Sequence, residues 1–227
     1  MGIDKMTKKR RWILLPLCLL LFTSCALADR LGFDTYDYMS DPVTGTLETD
    51  GETADAMREL LAVLITDSTE LLCFENMSGA IREYRDAVLT YMLRAEYAKY
   101  SGNTPLIERA EKAYPEYNVT QIIPADDFEA TMYRCFGGDV MISHKDGSRF
   151  KYLSKVGAYI ATVSPEDSGL EAEILSLDET EKTYRVRFRV VPKEEGAVAS
   201  EEYFALIIKR EDGTYYIKKL LTGTSVA

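Results

Sequence analysis

Apolar positions along the 227-residue chain keep two different periods, and the change between them divides the sequence. In 54–65, Met57, Leu60, Leu61, Leu64 and Ile65 recur at the i, i+3, i+4, i+7, i+8 spacing of one helical face. A second helix is expected over 79–99, with Ser78 as its N-cap and a buried stripe of Ile81, Tyr84, Val88, Tyr91, Met92 and Ala95. Gly102 stops it. Thr104-Pro105 opens a third helix as cap and first turn, which ends by Tyr114 because Pro115 follows. A fourth, over 125–136, buries Phe128, Met132, Cys135 and Phe136 and is closed by Gly137-Gly138.

From residue 140 the period becomes two. Strands are expected at 140–144, 159–163, 170–177, 183–191, 203–210 and 215–221, with an irregular stretch around Asp146-Gly147 between the first two. Asp212-Gly213 joins the last pair as a hairpin turn. Helices followed by an antiparallel meander predict one α+β domain over 54–227, with helices packed on one sheet face. Alternation in 184–190 places Tyr184, Val186, Phe188 and Val190 inward and Arg185, Arg187 and Arg189 outward. Pairing with 170–177 is expected to set Glu173 opposite Arg187 and Glu171 opposite Arg189. Those arginines then form a charge-compensated solvent face, helped by Glu201 and Glu202, and an anion-binding strip is the sharper alternative.

The first residues follow neither period. Lys5, Lys8, Lys9, Arg10 and Arg11 precede a wholly apolar run, 12–22, which is the layout of a secretory signal peptide. As a helix that run spans only about 16 Å, roughly half of a ~30 Å hydrocarbon core. Leu21-Phe22-Thr23-Ser24-Cys25 resembles the lipobox of bacterial lipoproteins, in which the Cys is acylated and becomes the new N-terminus. That resemblance makes 1–25 a lipoprotein signal peptide with lipidated Cys25. Phe22 stands where Leu is usual. Ala26-Leu27-Ala28 is a competing site that releases a soluble chain beginning at Asp29. Residues 26–53 are rich in Asp, Glu, Gly and Thr without an apolar period, and read as a flexible acidic tether.

Composition narrows the function. Net charge is −10, and losing five bases with the signal makes the remainder more acidic, which excludes the basic footprint of a nucleic-acid binder. An acidic domain reaches a membrane through its anchor rather than its face. His144 is the only histidine, so a multi-histidine metal site is excluded, and at a strand end it reads as an ordinary exposed or capping imidazole. No catalytic string or phosphate-binding loop occurs, and no cofactor is implied. Cys18 lies in the signal, leaving Cys73 and Cys135; a disulfide between them and two separate thiols are both open. Fifteen tyrosines are the most unusual count. Tyr84 and Tyr91, with Met92, Phe128 and Met132, are the candidate lining of a pocket between helices and sheet; a plain core is the alternative.

The order of elements from 54 onward resembles NTF2-like and cystatin-like α+β folds of bacterial envelope proteins. The segments 123–128 and 133–138 are similar to uncharacterised lipoproteins of clostridia-like bacteria. The resemblance implies no transferred catalytic residue. The expectation is a non-enzymatic extracytoplasmic lipoprotein that binds a protein, glycan or small ligand. The alternative is a small hydrolase or isomerase with a Tyr/carboxylate pocket. An accessory subunit offering an open edge strand near 139–144 is a third reading.

Overall fold

The computed structural model describes residues 36–75, 77–102, 104–138, 140, 142–162, 169–194 and 198–223, side chains of 77–83 excepted. Residues 1–25, read from the sequence as a lipoprotein signal peptide ending at Cys25, lie outside the described residues. The chain forms two units, Met1–Met39 and Ser40–Ala227. Of the first, the described end is a short turn in which the Met39 N–H donates to Asp37 Oδ1 at 3.1 Å and the Tyr36 and Tyr38 rings meet edge to face at 4.8 Å.

The second unit is α+β. It begins with β1 (Gly45–Leu47), inside the stretch read as a tether, which pairs with β5 (Leu170–Glu179) through Leu47↔Leu177. Helix α1 (Glu52–Leu61) follows and runs into a 3-10 turn, Ala62–Leu64; it buries Ala54, Met57 and Leu61. Helix α2 (Met77–Ala95) buries Tyr84, Val88 and Met92 of the expected stripe, with Tyr91 half-buried and Ala95 exposed; it ends before residue 99, and a single turn, α3 (Tyr97–Tyr100), follows it. Helix α4 (Pro105–Ala113) starts as its sequence dictates, with Thr104 Oγ1 accepting from the Ile107 N–H at 3.2 Å and Pro105 in the first turn. Helix α5 (Ala125–Phe136) occupies the expected residues; Asp126 and Asp127 favour its positive end, and Gly137 leaves it at φ +87°.

Two antiparallel sheets form where one was expected. The larger has the order β1-β5-β6-β7-β8, with β6 (Thr183–Pro192), β7 (Glu202–Lys209) and β8 (Tyr215–Thr222). Its inner face, including Val186, Phe188, Ala205 and Ile217, shares one core with α1, α2 and α5. The smaller sheet has the order β2-β4-β3: β2 (Ile122–Pro124), β3 (Phe150–Leu153) and β4 (Ala158–Ala161). Alternation gives it two buried faces. Ile123 and Tyr159 join the main core, while Ile122, Leu153 and Ile160 pack with Ile107 and Ala110 of α4 in a second cluster. Three-residue and four-residue strands buried on both sides carry too little alternation to be legible beforehand.

The strand expected at 140–144 is not one. Val140 and residues 142–147 are irregular, and side chains take the contacts a ladder would have supplied. Arg85 donates to the Ser143 carbonyl at 3.1 Å and to the Asp146 carbonyl at 3.4 Å. Asp86 Oδ2 accepts from the Ser148 N–H at 2.6 Å, the Ser148 hydroxyl at 2.5 Å and the Arg149 N–H at 3.1 Å. Gly147 is required there, because a Cβ would overlap Asp86 Oδ1.

The expected pairing of β5 with β6 is corrected too. Glu173 lies opposite Arg189, Glu171 opposite Val191, and a bulge between Ile174 and Ser176 shifts the remainder so that Asp178 faces Arg185. The cause is visible in the residues: the inward set runs Ala172, Ile174 and then Leu177, which changes parity. One extra residue restores Leu177 to the core and leaves Leu175 at the surface. The arginine face remains compensated, with Arg187 paired to Glu202, Arg189 to Glu173 at 2.5 Å, and Arg185 donating to the Asp41 carbonyl at 2.6 Å. Their neighbours across the sheet, Phe204 and Leu206, are buried, as aliphatic stems of arginine allow.

Candidate functional site

Of the five residues expected to line a pocket, four belong to the core. Phe128 and Met132 are 0% exposed, Met92 3% and Tyr84 4%, so the space between helix and sheet is packed. Tyr84 at its edge and half-buried Tyr91 border different clefts. Tyr84 donates its hydroxyl to the Leu72 carbonyl at 2.6 Å and borders a notch of about 180 Å³ lined also by Asp67, Asp86, Thr90 and Arg149. Asp67 there pairs with both Arg94 and Arg149, and Asp86 holds the loop at 147–149.

Tyr91 stands where two larger clefts meet. The first, about 310 Å³, lies between α1, α2, α5 and the β7–β8 turn. Its apolar wall is Ala56, Leu60, Val63 and Tyr215, and its polar end is Tyr91, Arg134, Glu59 and Thr214. The second, about 360 Å³, continues along the other side of α1 past Arg58, Arg94, Glu171 and Lys193. Glu59 and Tyr91 line both, so the two clefts adjoin at these residues.

The helical period explains the placement. Tyr91 is one position before buried Met92 and sits at the edge of the inward stripe of α2, and Arg134 has the same relation to buried Cys135 on α5. Burial pushes the Tyr91 hydroxyl above its ordinary value, and the Arg134 guanidinium beside it works against that rise. Burial likewise pushes the Cys135 thiol up, again opposed by Arg134. Among the described residues no carboxylate lies within ion-pair distance of Arg134. Its backbone carbonyl accepts from Arg210 at 3.2 Å, so the end of α5 is held independently of its side chain.

His144 is not an ordinary surface imidazole. Its Nδ1 is 3.0 Å from the Tyr159 hydroxyl and its Nε2 is 2.8 Å from Glu129 Oε1, while its ring stacks on Tyr152 at 4.8 Å and 18°. The Glu129 carboxylate can only accept, so Nε2–H donates to it, and the Tyr159 hydroxyl is the partner of Nδ1. Tyr159 is fully buried, and its phenol is pushed up to about 12, chiefly by burial. The chain of bonds therefore ends in a phenol that no solute reaches. It holds the loop at 142–148 to α5 and β4.

Cys73 and Cys135 are free thiols, the first exposed and the second buried. No group of His, Cys, Asp or Glu among the described residues is arranged to hold a metal ion. Arg134, Glu59 and the β7–β8 turn were not legible as site residues, because each gains meaning only when α1, α5 and the hairpin converge. The chain matches no protein-family model, no curated protein and no solved structure.

Proposed function

We propose that this chain is an exported, non-enzymatic binding module, tethered to a membrane by lipid on Cys25, that takes a small ligand in the groove beside Glu59 and Tyr91. The observation that carries the reading is the contrast between a filled core and an open groove with an apolar wall and a polar end. A cleft of about 310 Å³ falls at the small end of the ~300–1,000 Å³ range of ligand sites. Export rests on the basic and apolar leader, and anchoring on the lipobox-like 21–25. We assign the domain to the NTF2-like or cystatin-like kind because α1, α2 and α5 share one core with a five-stranded antiparallel sheet. The small β2-β4-β3 sheet is an addition to that plan.

The alternative of a small hydrolase or isomerase draws on Glu59 and Tyr91, a carboxylate and a phenol lining one groove. It is the weaker reading, because the only imidazole is engaged by Glu129 and Tyr159 and borders none of the three clefts described. Mass spectrometry of protein purified from its native membrane tests the proposal. A chain beginning at diacylglyceryl-modified Cys25, with a small molecule retained under native conditions and released on unfolding, is expected. A bare chain beginning at Asp29 overturns the anchor, and turnover of a retained molecule overturns the non-enzymatic reading.

A further inference from the structure

Building on the groove as the ligand site, we infer that its ligand is a small amphipathic anion, with an apolar body against α1 and a carboxylate or comparable anionic head at Arg134. The walls set the two halves. Ala56, Leu60, Val63 and Tyr215 offer hydrocarbon and an aromatic ring but few partners for a polar body. At the polar end Arg134 presents its guanidinium beside the Tyr91 hydroxyl, with no carboxylate partner among the described residues. A planar guanidinium with a phenolic hydroxyl next to it suits a planar anion such as a carboxylate.

Among the arginines lining the two clefts, Arg58 is paired with Asp55 and Arg94 with Asp67, so the anionic head falls to Arg134. On a chain of net charge −10, a guanidinium with no carboxylate within ion-pair distance among the described residues is where an anion is drawn. Neutral and cationic ligands of the same size gain nothing from it.

Titration of the protein with three probes of one shape tests this: octanoate, octan-1-ol and octylammonium, each followed by amide NMR shifts and calorimetry. Octanoate is expected to bind in the groove about tenfold more tightly than octan-1-ol, and octylammonium more weakly still. Arg134→Gln is expected to remove the preference for octanoate while leaving octan-1-ol unchanged, and Arg134→Lys to keep part of it. Unchanged near-UV circular dichroism and melting temperature establish that both variants are folded. If octan-1-ol or octylammonium binds the groove as well as octanoate, or if Arg134→Gln leaves octanoate unaffected, the anion inference is overturned and the groove stands as a ligand site. If none of the three shifts a groove residue, both the inference and the reading beneath it fail.

Discussion

The imidazole of His144 bridges two residues, with Nε2 donating to Glu129 at 2.8 Å and Nδ1 hydrogen-bonded to the Tyr159 hydroxyl at 3.0 Å. The residue that a search for catalysis turns to first is thereby a strut between an irregular loop, α5 and β4. Tyr159→Phe leaves Nδ1 without its partner and is expected to cost about 1–3 kcal/mol. His144→Ala leaves the buried phenol without its partner, removes the ring stacked on Tyr152, and is expected to cost about 2–3 kcal/mol. Because the two share one bond, the double variant loses less than the sum of the singles in urea denaturation. Strict additivity contradicts the pairing.

Two phenols set the alkaline limit of the fold. Tyr159 and Tyr184 are each pushed up to about 12, chiefly by burial. Their folded-state values lie above the ordinary 10, so the unfolded chain releases these protons first. Their contribution to stability is complete below pH 10 and is lost as pH climbs toward about 12. Absorbance titration at the phenolate band is expected to show a late class of tyrosines that titrates together with loss of structure. Tyr159→Phe removes one member of that class. Titration of every tyrosine before unfolding contradicts the assignment.

The two thiols differ in access more than in intrinsic reactivity. Burial raises both, and at Cys73 the Glu201 carboxylate adds to the rise. In the folded protein a disulfide-exchange reagent at neutral pH is expected to modify Cys73 alone, and slowly, because little thiolate is present. Cys135 reacts only after denaturation. Equal labelling of the two in the folded state contradicts the packing of α5.

Two glycines separate backbone strain from crowding. Gly137 and Gly213 have φ of +87° and +80°. A Cβ on Gly213 meets nothing within 4 Å, whereas on Gly137 it falls 2.8 Å from the Tyr216 ring. Gly213→Ala is expected to cost about 1 kcal/mol from the left-handed conformation alone. Gly137→Ala is expected to cost about 2–3 kcal/mol, since the ring must also move. Chemical denaturation measures the difference, and equal losses contradict the contact.

Long elements were legible and short ones were not, for a physical reason. Helix α5 carries its acidic start and inward stripe within its twelve residues and its glycine stop immediately after them, and α4 is preceded by Thr104 and opened by Pro105. The strands β5 to β8 run for eight to ten residues, long enough to be located, with β6 alternating and β7 a continuous apolar run. Register was less accessible: it needed the parity change at Leu177 to be read as a bulge. The segment 140–144 reads as a strand, yet Arg85, Glu129 and Tyr159 hold Ser143 and His144 from elsewhere in the chain. The same limit applies to the site. Tyr91 was singled out within a helical stripe, but Arg134 and Glu59 become its neighbours only when three helices pack.

Amide NMR mapping of the folded chain with a library of small apolar molecules bearing charged and neutral heads tests the central claim most directly. Shifts concentrated at Ala56, Leu60, Tyr91, Arg134 and Thr214, and suppressed by Ala56→Trp, are the predicted result. Shifts gathered instead at the Asp67–Arg149 notch or around His144, with the groove residues unmoved, contradict it.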